Sequence, residues 1–485
     1  MVAPDYNRQV RLTYQIKNLR RRTNISIWDE VSMEISKGYE YYEFGYEFPA
    51  KEFLNVIRQE VVQRREEGCD VEAMGERVLH ALRRSDGLQA VELHTILCDL
   101  ESLQPAESFP YVEPSTLDEI RAERPDGPRR MELNLTDAQM LDRIYGAWLG
   151  RAAGCVLGKP MERGWNKGQI DSYLQFAKAL PLNDYVPLVD GHPEGLKLRD
   201  PDCTRGRIHY AAIDDDLDYT VLGLHVLESY GLDFTSRNVA EGLLDRLPDL
   251  DLYIGLKFVA YRYLMNNPLP WQHRKNEGIG GQIRADAWGY ATPGWPEKAA
   301  EFAFRDAVLS NVKNGIYGEM FVAAMLAAAF VTSDVEEVIR IGLSEIPRNC
   351  RLAGAVRDVV KWSKELSDWE EVWANINEKY GHYHMVHSIN NAALVVMGLM
   401  AGQGNYETSI VVAVRGGWDT DCNGATAGSV CGMMLGADAL PEKWVGVLND
   451  RLISVVRGYN ECKISELAKR SYEIARKVMR QRNIN

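Results

Sequence analysis

The sequence predicts an all-α fold, and three observations carry that prediction. Apolar residues recur at helical spacing, as in Phe53, Leu54, Ile57, Val61 and Val62, and again in Met74, Val78, Leu79 and Leu82. From Met131 onward there is no sustained alternation of apolar and polar residues of the kind a half-buried strand needs. Two segments carry glycines spaced by four: Gly146, Gly150, Gly154 and Gly158, then Gly424, Gly428, Gly432 and Gly436. Glycine disfavours a helix by roughly 1 kcal/mol relative to alanine. Four on one stripe therefore need an offsetting gain, and close approach of another helix supplies one. Both segments are expected to be central, tightly packed helices.

The elements group into three regions. Residues 1–104 form an N-terminal helical module whose residues suggest no chemistry. Its basic stretch (Arg8, Arg11, Lys17, Arg20, Arg21, Arg22) reads first as a solvated helix face and second as a contact for a polyanion. Residues 105–130 hold five of the 19 prolines and read as a linker. Residues 131–485 form the longer, helix-dominated domain. The N-terminal module also offers a surface for oligomerisation.

Composition excludes several classes of function. The 485 residues are 46% apolar and 26% charged, which fits a globular chain with a large core. A net charge of -13 argues against binding nucleic acid or an anionic membrane through the whole surface. The eight cysteines include no CxxC pair, and the chain is too long to need disulfide staples, so reduced thiols are expected. The first residues show no apolar signal segment, and the apolar run Met320 to Val331 is too short to span a bilayer. These features point to the cytoplasm.

Two acidic clusters carry the chemistry. The first is Asp214-Asp215-Asp216-Leu217-Asp218, followed at once by Val221, Leu222, Leu224 and Leu227. Aspartate is favoured at a helix start, where it caps free N–H groups and meets the positive end of the dipole. One aspartate would satisfy that need; several repel one another unless cations neutralise them. The second is Gly416-Gly417-Trp418-Asp419-Thr420-Asp421-Cys422-Asn423, which leads into the second glycine-striped segment. Asp and Thr oxygens are hard ligands for Mg²⁺, Mn²⁺ or Ca²⁺. Neither cluster has the His/Cys spacing of a zinc site.

The segments Gly146–Glu162, Asp214–Thr220 and Gly416–Gly432 together resemble the three signature blocks of the ADP-ribosylglycohydrolase family, in the family's order. That family includes the enzymes that reactivate ADP-ribosylated dinitrogenase reductase. The resemblance covers about residues 140–450, with weaker agreement at Gly281–Asp286 and Ser310–Gly315. It implies an all-α domain with two Mg²⁺ or Mn²⁺ ions near its centre. Carried over by position, Asp215, Asp216, Asp419 and Asp421 are carboxylate ligands, and Asp214 occupies the place of a ligating threonine. Glu162, in Lys159-Pro160-Met161-Glu162, matches an acidic residue near the substrate ribose.

The departures from the family pattern bear on substrate. Cys155 replaces an aspartate at a position that is more often structural. Asp214 adds a negative charge, which tightens metal binding and makes the site less welcoming to a nearby diphosphate. Cys422 replaces the last threonine and is a poor ligand for a hard cation, so Asn423 or water serves there. Asn311 stands where many members have a histidine lining the substrate pocket. Trp418 is placed either to stack on a base or nicotinamide ring or to pack. His382, His384 and His387 are expected to pack or touch substrate rather than hold a metal, and Ser388 or Asn390 to cap the helix that follows.

The leading functional expectation is a metal-dependent hydrolase that cleaves the glycosidic bond at ribose C1 of an ADP-ribosyl or related ribosyl substrate. Metals would grip the ribose hydroxyls and activate water, and Glu162 or a metal-linked aspartate would act as general base. The alternatives are a glycohydrolase of small nucleoside-like or nicotinamide-ribose metabolites, and a non-catalytic protein that retains the fold. The substrate is expected to be an ADP-ribosylated partner or a small molecule.

Overall fold

The computed structural model describes residues 42–43, 46–47, 50–82, 90–162, 164–265 and 276–484. These residues are mostly helical, and they fall into two compact units, one ending at Pro110 and the other beginning at Tyr111. The fold is all-α, with two short antiparallel strand pairs as the exceptions among the described residues.

In the first unit, helices Ala50–Glu66, Glu72–Leu82 and Ala90–Ser102 follow the helical spacing read from the sequence. Ile57, Val61, Val78 and Leu79 are buried as that spacing predicts, whereas Val62 faces solvent. Arg64 closes the turn on Glu60 and Glu67 at 2.7 and 2.8 Å. The basic residues Arg8 to Arg22 lie outside the described residues.

The stretch 105–130 is not a free tether. From Tyr111 on it belongs to the second unit. Leu117–Glu123 is helical with Ile120 buried. Arg124 pairs with Glu297 and Glu345 at 2.6 Å each, and Glu113 pairs with Arg351 at 2.7 Å. Proline content marked the stretch as irregular, but its charged side chains dock on the helices of the second unit.

Seven helices of the second unit place the site: α1 (Asp137–Gly158), α2 (Asp215–Tyr230), α3 (Asp286–Tyr290), α4 (Lys313–Ala329), α5 (Ser388–Gly402), α6 (Tyr406–Arg415) and α7 (Thr420–Leu435). A capping box starts α1: Thr136 Oγ1 accepts from the Gln139 N–H, and Gln139 Oε1 accepts from the Thr136 N–H. Helix α2 ends at Gly231 and α7 at Gly436, both with φ near +80°, where a side chain would be strained.

The two glycine stripes face each other. Helices α1 and α7 run antiparallel in one register, with Gly146 against Gly432, Gly150 against Gly428, Gly154 against Gly424 and Gly158 against Thr420. A Cβ on Gly154 would sit 2.0 Å from Gly424 O, and one on Gly428 would sit 2.1 Å from Gly150 O. Backbone meets backbone, which only glycine permits. The consequence for function is positional. The C-terminal end of α1 is held against the N-terminal end of α7, so residues after Gly158 and residues around Asp419 must share one corner. Thr420 Oγ1 donates to Gly158 O at 2.8 Å and closes that corner.

The strand pair Arg451–Ile453 and Glu461–Lys463 brings in the first acidic cluster. Ala211 bridges to it through Ala211 N to Arg451 O (2.8 Å) and Ile453 N to Ala211 O (3.0 Å). This fixes the chain three residues before Asp214. No described helix is long and apolar enough to cross a membrane.

Candidate metal centre

The two acidic clusters meet. Ligand atoms of Asp214, Asp215 and Asp216 lie within 4.8 Å of one another, as do those of Asp216, Asp421 and Cys422, and those of Glu162, Asp419 and Asp421. Asp216 therefore joins the start of α2 to the start of α7, and Glu162, just past the end of α1, joins the same group. Asp214, Asp216, Asp419 and Asp421 are each at most 5% exposed.

Burial and mutual repulsion push these carboxyls up. Asp215, Asp216 and Asp421 rise well above the usual carboxylate range, through burial first; neighbouring carboxylates add to it, while Arg151 opposes it at Asp216. Asp419 is pushed up to about 6 by burial, against hydrogen bonds from Cys422 and Asp421. A cation among them reverses this preference. Two oxygens are also left over: Asp216 Oδ2 and Asp421 Oδ1 are buried and have no hydrogen-bond partner among the described residues. Buried polar atoms without partners are costly. A carboxylate-rich corner with two such oxygens fits a hard divalent cation.

Two cations of the protein frame the corner, and the sequence reading missed both. Lys159 Nζ lies 2.6 Å from Asp214 Oδ2, while Asp214 Oδ1 accepts the Asp216 N–H at 3.0 Å. Asp214 is thus the N-cap of α2 and the partner of a lysine, with both oxygens engaged. Burial opposes the Lys159 charge, but Asp214 outweighs it and holds the ammonium protonated. The expected surplus negative charge from Asp214 is therefore cancelled by its own neighbour.

Arg151, fully buried on α1, is the second cation. It reaches Asp216 Oδ1 at 2.9 Å and Asp286 Oδ2 at 2.8 Å, and donates to Asp216 O and Ile283 O at 2.7 Å each. Burial opposes its charge, and Asp286 and Asp216 together more than restore it. Asp286 is held in turn by Ser429 and by Tyr290 Oη at 3.1 Å. The guanidinium thus occupies one oxygen of Asp216 and leaves the other facing the acidic corner. An arginine inside a glycine-striped apolar helix was the available signal, since a buried charge requires a partner.

The loop before α7 is fixed just as firmly. Gly417 has φ +85° and lies against Lys167, where a Cβ would come 2.8 Å from the backbone nitrogen. Trp418 N donates to Trp165 O at 3.3 Å, and Trp373 Nε1 donates to Gly416 O at 2.9 Å. Asn391 on α5 accepts from Asn423 Nδ2 at 2.8 Å and from Asp419 N at 3.3 Å, and donates to Met385 O and His387 O.

A family model described as ADP-ribosylglycohydrolase matches residues 136–481. The chain belongs to the ADP-ribosylglycohydrolase family. No curated protein matches it. A solved structure named "ADP-ribosylglycohydrolase-related protein complex" is similar at 18% identity and a TM-score of 0.46, covering 70% of this chain and 99% of that one.

The residues that depart from the family pattern are placed as follows. The amide of Asn311 donates to Asn276 O and Gly278 O at 3.1 and 3.0 Å and accepts from Ser310 Oγ, so it pins the loop before α4. Asn423 is fully buried, with its amide nitrogen on Asn391 and its Oδ1 without a hydrogen-bond partner among the described residues. Trp418 is half-buried, packs against the core, and takes the left-handed backbone at φ +59°. Cys155 is fully buried and feels the charges of Asp214, Asp216 and Asp421. His387, rather than Ser388 or Asn390, caps α5 by accepting the Ile389 N–H, and it stacks on Tyr383.

Proposed function

We propose that this member of the ADP-ribosylglycohydrolase family is a metal-dependent hydrolase cleaving the glycosidic bond at ribose C1 of an ADP-ribosyl or related ribosyl substrate. The observation that carries the reading is the convergence of Glu162, Asp216, Asp419 and Asp421 on one corner where two buried carboxylate oxygens have no partner. A silent scaffold has no need to bury repelling carboxylates, since each raises the cost of folding.

Asp215, Asp216, Asp419 and Asp421 would hold the ions, in this reading two Mg²⁺ or Mn²⁺. Such ions would supply Lewis acidity toward the sugar and the attacking water. Arg151 keeps Asp216 oriented, and the Gly417 loop keeps Asp419 in place. Glu162, half-buried at the edge of the corner, accepts the proton of the attacking water as oxocarbenium character develops at C1 and the leaving group departs. Residues 1–104 lie outside the matched span and are assigned no part in this chemistry.

Asp214 gave the small neutral riboside alternative much of its support. With Lys159 beside it that support falls away, and an ADP-ribosyl substrate is favoured.

The test is release of ADP-ribose from an ADP-ribosyl-arginine substrate, compared with hydrolysis of a neutral riboside, each with Mg²⁺ or Mn²⁺ and after chelation. Metal-dependent release that falls by about 10²–10⁴ in Glu162→Gln supports the reading. Turnover of the neutral riboside alone favours the alternative, and no turnover of either with metal bound favours the silent scaffold.

A further inference from the structure

Cys422 follows Asp421 on the first turn of α7. It places a soft atom inside the acidic corner. Asp216, Asp421 and Cys422 each offer a ligand atom within 4.8 Å of the other two, and all three side chains are buried. Among the described residues, Arg151 engages Asp216 Oδ1 and leaves Oδ2 without a hydrogen-bond partner, and Asp421 Oδ1 is also without one. A carboxylate oxygen from each aspartate and the Cys422 sulfur are thus close enough to share one ion at the start of α7. The group formed by Glu162, Asp419 and Asp421 offers oxygen alone.

Building on the metal-centre reading above, we propose that the Asp216–Asp421–Cys422 position takes a borderline divalent cation such as Zn²⁺, Co²⁺ or Fe²⁺, with the Cys422 thiolate as a ligand, while the Glu162–Asp419–Asp421 side takes a hard one. Thiolate donors favour such ions over Mg²⁺. On binding, the sulfur–proton bond is replaced by a sulfur–metal bond and the proton leaves to solvent, with no change of oxidation state. The site is then a mixed pair of positions rather than two equivalent hard ones.

Cobalt(II) reports directly on sulfur ligation. The full-length protein, stripped with chelator and loaded with Co²⁺ under anaerobic conditions, should show visible ligand-field bands and a near-ultraviolet sulfur-to-cobalt charge-transfer band. Cys422→Thr should keep the visible bands and lose the charge-transfer band; Cys155→Ala, a neighbouring buried thiol, should keep both. In competition, Cys422→Thr should lower the preference for Zn²⁺ over Mg²⁺ by at least the roughly 10–100-fold that loss of an outer-sphere partner causes. Cys422→Ser and a melting curve guard against a folding defect. Ligand-field bands without the charge-transfer band in the wild type would overturn sulfur ligation and leave the metal centre standing. A charge-transfer band that survives in both Cys422 variants would assign it to another thiol and overturn the inference. Failure of the wild type to bind cobalt in equilibrium dialysis would overturn both readings.

Discussion

Lys159 Nζ and Asp214 Oδ2 lie 2.6 Å apart at the mouth of the acidic corner, one at the end of α1 and the other at the cap of α2. The pair bears on the local charge: the ammonium of Lys159 offsets the extra carboxylate that Asp214 brings to the corner.

The pair should behave as a unit in stability measurements. Removing one member of a buried ion pair strands the other and costs about 3–5 kcal/mol. Lys159→Met and Asp214→Thr should each lower the chemical-denaturation midpoint of the chelated protein. The double variant should recover most of the loss, because threonine still caps α2 and no charge is stranded. The singles should also move metal affinity in opposite directions, tighter in Lys159→Met and weaker in Asp214→Thr, with a Coulomb coupling of about 1–4 kcal/mol. Additive losses in the double variant would show that the two residues act independently.

The glycine stripes and acidic clusters made much of this site legible in the sequence. Spacing by four announced close helix packing, and aspartates before a buried helix pointed to a clustered acidic site. Which faces meet was not legible. The register that sets Gly154 on Gly424 and brings Glu162 beside Asp419 is a property of two helices 270 residues apart, and no local pattern encodes it. Lys159 and Arg151 stood inside the matched block but were read as background, because a cation's role appears only with its partner. Asn311 has a role in the fold that its position did not suggest. Its position suggested a substrate contact, whereas its amide is engaged by the loop carbonyls of Asn276 and Gly278.

Arg151 should prove irreplaceable by lysine. Its fork spans Asp216, Asp286 and two backbone carbonyls in four directions. An ammonium has three donors and no planar fork. Arg151→Met should cost about 3–5 kcal/mol and weaken metal binding by about 10–100-fold. Arg151→Lys should recover part of the stability but little of the metal affinity, as read by calorimetric titration. Equal recovery of both would mean that charge alone, not orientation of Asp216, is what Arg151 supplies.

Glycine-to-alanine variants should divide sharply by position. Gly154→Ala and Gly428→Ala place a methyl about 2 Å from a facing carbonyl oxygen, and backbone cannot yield as a side chain can. Each should destabilise at or beyond the top of the ~1–3 kcal/mol range for overpacking. Gly154→Ala should also reduce metal affinity by forcing the ends of α1 and α7 apart. Gly354→Ala lies within helix Arg351–Glu365 and meets only Tyr111, at 4.0 Å. It should stabilise by about 0.5–1 kcal/mol. Thermal melts of the three variants test the register itself: a mild effect of Gly154→Ala would be incompatible with it.

The metal-free protein should grow less stable as pH rises from about 5 to above 6. Asp218, which accepts from Ser454 and Tyr253, is pushed up to about 6 by burial, and Asp419 likewise. Asp215, Asp216 and Asp421 shift in the same direction. In the unfolded chain an aspartate titrates near ~3.9. Between that value and 6 the folded state holds the extra protons, so raising the pH favours unfolding. A shift of about two units costs on the order of 3 kcal/mol per group once both states are ionised. Glu277 runs the opposite way. Although burial opposes it, Arg351, His387 and Asn314 hold its carboxyl well below the usual range, so its contribution is lost in acid. Melting temperature with chelator should therefore pass through a maximum near pH ~5 and fall toward neutrality. Added Mg²⁺ or Mn²⁺ binds the ionised carboxylates, so its stabilising effect should be larger at pH 7.5 than at pH 5.5. A chelated protein whose melting temperature climbs steadily from pH 5 to 7 would show that these carboxylates do not carry the burial cost assigned to them.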